Sequence, residues 1–362
     1  YIDVEELHSG RNYGTISIET SNTKIDVAVE ADYTYLPVQK NENYFWKEKL
    51  AALFRMYLSF RMGKKTKEEW IQESEAIASQ VRFNQDAVTF AKLYRVQLLL
   101  AAEKTQDAAW LLDQIEEEML QEKQYPELYG YFLYLTTHLN KEEDYINKVT
   151  QKVKKLYNKE KDNAGLSWLM LYLREDLFYH PEKKWDFLEE CFHHGNYSPL
   201  LHVEALQLLK EMPVLLSKLD EYEYHLLRFA KKYDALTPEI ADRLQFLGER
   251  KKNYEKRWFD IFTACYEIAP SKELLQTICS YLMKSACVGP EYFPWYEKAV
   301  LAELKLTRLY EYFVQSVALE DMRELPLLIM MYFSYQNNLD YERMAYLHVN
   351  VLKHKAKFPE IA

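Results

Sequence analysis

From residue 44 to residue 355 apolar side chains recur at helical spacing almost without a break, and that periodicity limits the chain to helices packed on helices. The pattern is plainest where Ala108, Leu111, Leu112, Ile115 and Met119 fall at i, i+3, i+4, i+7 and i+11, with Glu116, Glu117 and Glu118 on the other side. That spacing predicts a helix with one buried face. The preceding stretch, Val88 to Ala102, carries Phe90, Ala91, Leu93, Tyr94, Val96 and Leu98 to Leu100 and is apolar nearly all round. It is expected to be an inner helix covered on several sides.

Punctuation divides this region into short helices. Proline suits the first helical position, where its missing N–H costs nothing, and an acid beside it suits the positive helix end. The chain uses the pair at Pro126-Glu127, Pro181-Glu182, Pro238-Glu239 and Pro290-Glu291. Thr66 with Glu69 and Asn140 with Glu143 place a capping side chain three residues before a carboxylate. Together these signals predict roughly fifteen or sixteen helices of ordinary length. A polar residue followed by an aromatic opens segments at Asp144-Tyr145, Lys184-Trp185, Glu221-Tyr222, Asn253-Tyr254, Glu291-Tyr292 and Asp340-Tyr341, with aromatic steps of 40, 37, 32, 38 and 49 residues. Periods of that size belong to helix-pair repeats, in which neither helix buries its face alone and neighbours must stack.

The segment KTQDAAWLLDQI, Lys104 to Ile115, and DYERMAYLHVNVLKH near the end give the chain a cadence that resembles the tetratricopeptide-like superhelix family. The resemblance implies a right-handed α-α superhelix, a solenoid, over residues 44 to 355. The family's Trp, Leu-Gly, Tyr and Ala positions do not recur in register, so no binding residue is carried over.

Residues 14 to 31 follow a different rule. Gly14, Ile16 and Ile18 alternate with polar residues, and Ile25, Val27 and Val29 do the same after the turn-prone Ser21-Asn22-Thr23. This predicts a β-hairpin with one buried face, completing a sheet begun upstream or packing on the first helices. The order Gly-x-Ile-x-Ile, polar turn, Ile-x-Val-x-Val resembles the closing strands of bacterial immunoglobulin-like sandwiches. The expected domains are a β remnant over residues 1–37 and a helical domain over 38–362, separated by Pro37 and the polar Gln39 to Asn43. Strand pair and Tyr-rich helices together resemble a segment of the long repeat proteins of clostridial bacteria, for which no activity is implied.

Composition narrows the function. Eight glycines in 362 residues lie far below the ~7% average, leaving few positions for positive φ or for backbone that cradles a ligand. A net charge of −10 opposes binding to a phosphate backbone, so no nucleic-acid partner is expected. No stretch approaches the roughly 18 apolar residues of a membrane span, and the chain reads as soluble. The opening YIDVEELHSGRNYG has no signal-peptide character and reads as a cut inside a longer protein. Cys191, Cys265, Cys279 and Cys287 form neither a disulfide framework nor a CxxC hook and read as reduced, mostly buried thiols, which suggests the cytoplasm.

No segment carries HExxH, GxSxG, GxGxxG or a complete phosphate loop. Gly63-Lys64-Lys65-Thr66 lacks the earlier glycine and the strand of such a loop and reads as a helix stop followed by a cap. The best metal candidates are Cys191, His193, His194 and His202, but adjacent histidines point apart on a helix, and they read as ordinary turn and surface residues. The acidic runs Glu189-Glu190 and Glu116 to Glu118 read as solvated helix faces. The densest basic cluster, Arg250, Lys251, Lys252, Lys256 and Arg257 around Tyr254, reads as exposed charge at a helix junction. Thirty tyrosines and seven tryptophans suit sugar or peptide contacts, yet roughly three-quarters of the aromatics are expected to fill helix seams.

These observations predict a non-enzymatic interaction scaffold with a protein or peptide partner, and no catalytic, cofactor or metal site. Two rivals remain: an α/α toroid acting on or binding carbohydrate, with acids on long loops, and a structural spacer within a longer protein.

Overall fold

The computed structural model describes residues 10–19, 24–33, 42–119, 125–212, 219–248, 250–251, 253–318, 323–333 and 339–359. Among them are two antiparallel strands followed by eighteen α-helices, the mainly helical architecture that the periodicity predicts. Two compact units are present, Tyr1–Phe60 with Lys65–Gln121 and Arg61–Lys64 with Glu122–Ala362. The Pro37 linker, the Ser21 to Thr23 turn and Lys252 lie outside the described residues.

In the first unit, β1 (Gly10–Glu19) pairs with β2 (Lys24–Tyr33) so that Ile16 faces Val27 and Ile18 faces Ile25. The hairpin forms as its alternation predicts, but its apolar face is not buried: Ile16, Ile18, Ile25 and Val27 are 57%, 51%, 54% and 44% exposed. Two strands without a second layer have nothing to pack against, and the described helices do not supply one. Helices α1 (Glu42–Arg61), α2 (Lys67–Ala78), α3 (Gln85–Ala101) and α4 (Thr105–Met119) follow. Thr66 caps α2 with the reciprocal Glu69 bonds of a capping box, and Gly63 stops α1 at φ +73°. Buried Trp70 organises this unit: its indole N–H donates to the Tyr94 hydroxyl at 2.8 Å, and its ring stacks on Phe60 at 4.6 Å. In α4 the five apolar residues singled out above are all buried. In α3 the inward residues Ala87, Ala91, Leu93, Tyr94, Val96 and Leu98 are buried, and no apolar residue of the helix is exposed.

The second unit contains α5 (Pro126–Leu139), α6 (Glu143–Tyr157), α7 (Ala164–Leu173), α8 (Glu175–Tyr179), α9 (Pro181–His193), α10 (Pro199–Glu211) and α11 (Glu221–Lys232). It continues through α12 (Pro238–Gly248), α13 (Lys256–Ile268), α14 (Lys272–Lys284), α15 (Phe293–Leu301), α16 (Leu309–Ser316), α17 (Leu327–Phe333) and α18 (Tyr341–Lys353). Packing runs between sequence neighbours and next-but-one helices: α5, α6 and α7 meet pairwise, as do α12, α13 and α14. The central member α7 is buried from Leu166 to Leu171 and again at Leu173, which its unbroken apolar run AGLSWLMLYL explains. Close approach is made possible by Gly248 at the end of α12, where an added Cβ would lie 2.6 Å from the Thr277 methyl and 3.1 Å from the Phe262 ring.

Three of the four Pro-Glu pairs open helices, at α5, α9 and α12. Pro290-Glu291 does not. It lies in a turn closed by Tyr292 and Phe293 N–H groups donating to the Gly289 carbonyl, and Pro294 takes the early helical position of α15 instead. Asn140 likewise is not the cap of α6. Its Oδ1 accepts from Glu142 N at 3.0 Å, forming a turn one step earlier. The helix total exceeds the punctuation count because short pieces such as the five-residue α8 carry no start signal.

Positive φ is also commoner than eight glycines suggest. Glu103, Asp234, Ala286 and Glu303 adopt φ of 62°, 50°, 53° and 55° just past α3, α11, α14 and α15. Each sits inside a 6→1 closure, for example Lys104 N to Leu99 O and Cys287 N to Leu282 O. Satisfying the orphan carbonyls at the helix end outweighs the cost of the left-handed conformation at these non-glycine residues.

Candidate docking surface

Helix α6 is divided more sharply than its neighbours. Val149, Val153 and Tyr157 recur at i, i+4 and i+8 and are buried, with Ile146 and Thr150 half-buried beside them. The Tyr145 hydroxyl lies 2.8 Å from Thr136 Oγ1 of α5, and Thr150 Oγ1 donates to the Leu173 carbonyl of α7 at 3.2 Å, so the helix is fixed on both neighbours. The opposite side carries Lys148, Lys152, Lys155 and, just past the last turn, Lys159, at i, i+4, i+7 and i+11. All four are exposed. From Lys148 to Lys159 the rise along the axis is about 16 Å. Asn147, Gln151 and Asn158 form a second exposed row at matching spacing. Between Tyr145 and Lys159 there are five lysines and no acidic residue, in a chain whose net charge is −10.

None of Lys148, Lys152, Lys155 and Lys159 has an ion-pair partner among the described residues. Elsewhere in the chain lysines and arginines are commonly engaged: Lys92 meets Glu118 at 2.6 Å, Lys161 meets Glu190 at 3.0 Å and Arg174 meets Asp176 at 2.7 Å. Beside the lysine row runs an open groove of about 490 Å³ whose lining includes Leu133 of α5 and Asp144, Tyr145, Lys148, Gln151 and Lys152 of α6. Lys154 and Lys155 also complement the negative end of the helix dipole, but Lys148 and Lys152 lie too far from that end for the dipole to account for them.

The other sequence candidates are spread over separate surroundings. His193 and His194 each reach back one turn, to Glu189 at 3.6 Å and Glu190 at 3.3 Å. Cys191 is buried against the Tyr157 hydroxyl at 3.8 Å, and His202 is buried against the Phe229 ring. Among the described residues no three His, Cys, Asp or Glu side chains are grouped to hold a metal ion. Burial pushes the Cys265 and Cys279 thiols up to about 12 and raises those of Cys191 and Cys287, which suppresses their thiolates. Two bases of the cluster near Tyr254 are answered by carboxylates: Lys251 meets Glu255 at 2.8 Å, and Arg257 meets Glu255 at 2.7 Å and Glu221 at 2.8 Å. Arg257 also covers the Tyr224 ring at 4.6 Å.

Two buried carboxylates that the sequence does not flag are satisfied internally. Glu223 and Arg243, both 0% exposed, form a two-pronged pair. Glu204 accepts from the Tyr172 hydroxyl at 2.6 Å and pairs with Lys184 at 3.2 Å. Five of the seven tryptophans are buried, and Trp110 is the exposed exception at 65%. Exposed Tyr179, Phe246 and Tyr341 fall on separate helices, and Tyr197 lies in the connection between α9 and α10. No described helix is long and apolar enough to cross a membrane.

No curated protein and no solved structure matches this chain. A family model does so over residues 1–362, its whole length, and the chain therefore belongs to the N-terminal part of a family of unknown function, DUF5717.

Proposed function

We propose that the chain is a non-enzymatic scaffold that binds other proteins, built as an open, right-handed superhelix of the tetratricopeptide-like kind. The observation that carries this reading is the α6 surface, where a row of lysines with no ion-pair partner among the described residues flanks a groove of about 490 Å³. Exposed charge with no internal partner does little for folding, whereas a rigid row of it steers and orients an incoming surface. The neighbour-to-neighbour helix packing supports the same reading, because stacked pairs generate extended surfaces suited to protein partners. Four free thiols, three of them buried, favour the cytoplasm as the working compartment. A tie to the long clostridial repeat proteins belongs to this reading as well.

The test is in-cell cross-linking of the full-length protein, with and without residues 42–359. Proteins that cross-link to lysines of this segment and vanish from the deletion support the scaffold. Turnover by the isolated segment, abolished by one point substitution, would sink it, as would a globular rather than elongated scattering profile.

A further inference from the structure

The geometry of α6 points to an acidic helical segment of another protein as the ligand of this surface, and we propose that the lysine row is its docking site. The inference rests on the scaffold reading and names the chemistry of the partner. Lysines at i, i+4, i+7 and i+11 lie along one line of the helix, so a second helix laid beside it presents carboxylates of the same periodicity to every lysine in turn. The parallel amide row of Asn147, Gln151 and Asn158 offers both donors and acceptors to polar side chains flanking those carboxylates. The groove floor contains Leu133 and Val149, which seat one apolar side chain of the partner.

Other polyanions fit less well. Single-stranded nucleic acid is held by exposed aromatic faces alternating with bases. Among the described residues the only aromatic lining the groove is Tyr145, half-buried with its hydroxyl against Thr136. A long duplex extends past this helix and meets the field of a chain with net charge −10. A membrane surface is bound by helices that place apolar residues beside their lysines, yet every exposed residue of α6 from Asn147 to Lys155 is polar.

The test uses the whole 362-residue chain and a fluorescent 20-residue helical peptide with glutamates at i, i+4, i+7 and i+11, read by anisotropy. K148E/K152E/K155E is compared with K183E/K272E/K305E, which changes net charge equally at exposed lysines elsewhere. The expected result is a loss of about thirtyfold in affinity for the first variant and less than about threefold for the second. A lysine-rich peptide should gain affinity for the first variant. Should the reversed variant fold poorly by circular dichroism, K148Q/K152Q/K155Q is expected to show a loss of about fivefold. Equal losses in the two charge-reversed variants, no peptide binding at millimolar concentration, or tighter binding of a 20-nucleotide single strand or of phosphatidylserine vesicles would overturn the inference. In-cell cross-links could still map to this segment in that event, so failure here leaves the scaffold reading to its own test.

Discussion

Arg243→Met isolates the energetics of the one ion pair among the described residues that is sealed from solvent on both sides. Arg243 Nε lies 2.8 Å from one Glu223 carboxylate oxygen and Nη2 lies 2.9 Å from the other, with both side chains 0% exposed. Methionine occupies a similar volume, so the main consequence is a buried carboxylate stripped of its counterion. That costs about 3–5 kcal/mol at neutral pH. Burial is the largest influence on Glu223 and raises its pKa, while Arg243 works in the opposite direction. A carboxyl whose folded pKa is raised binds its proton more tightly in the native state than in the unfolded state. Its contribution to stability is therefore present at low pH and is lost as pH rises through the folded value. Without Arg243 the folded value climbs further, so the penalty of Arg243→Met should shrink as pH falls from 7 towards 5. The double variant Glu223→Leu with Arg243→Met removes both charges and should return to within about 1 kcal/mol of the parent. Native-state hydrogen exchange of α11 and α12 amides, supported by urea unfolding, reads these differences locally. A penalty below about 1 kcal/mol for Arg243→Met, or one that does not change between pH 7 and pH 5, would refute the reasoning.

Burial holds the His202 imidazole down at about 4, with His225 acting in the same direction, and its Nδ1 has no hydrogen-bond partner. The unfolded chain therefore takes up a proton that the native state refuses, and on the order of 3 kcal/mol of stability should drain away as pH falls from 6.5 to 4. His202→Leu should flatten that acid limb in pH-dependent urea unfolding, and an unchanged slope would contradict the assignment. Gly248→Ala should cost about 1–3 kcal/mol in the same assay, because its methyl meets the Thr277 methyl. Adding Thr277→Ser should recover part of the loss, since serine keeps the hydroxyl bond to the Gln245 carbonyl while removing the obstruction.

Much of the helical framework is readable from local pattern. The α4 stripe and the Thr66 capping box are set within one or two turns of chain, where spacing and side-chain chemistry suffice. Features that depend on distant residues are not readable in that way. Pro290-Glu291 has the composition of a helix start, but the chain turns at Gly289 and the helix waits for Pro294. Glu223 and Arg243 look like two more surface charges until the packing of α11 and α12 seals them together. The repeat-opening aromatics likewise have no common role, for Trp185 and Tyr222 are buried while Tyr341 is 96% exposed. The lysine row was available in the sequence as fifteen residues without an acid. Density alone draws the eye to Arg250–Arg257 instead, and only the fold reveals that carboxylates already answer two of those bases.

The left-handed residues at Glu103, Asp234, Ala286 and Glu303 set where this protein gives way. Each holds an L side chain in a conformation that costs about 1–2 kcal/mol, repaid only while the helix end beside it stays closed. Fraying at such a corner releases that cost, so opening begins at the joints and leaves the helix interiors intact. Among the described residues, protease nicks and the earliest-exchanging amides should cluster there, giving a mechanical hinge pattern written into the backbone.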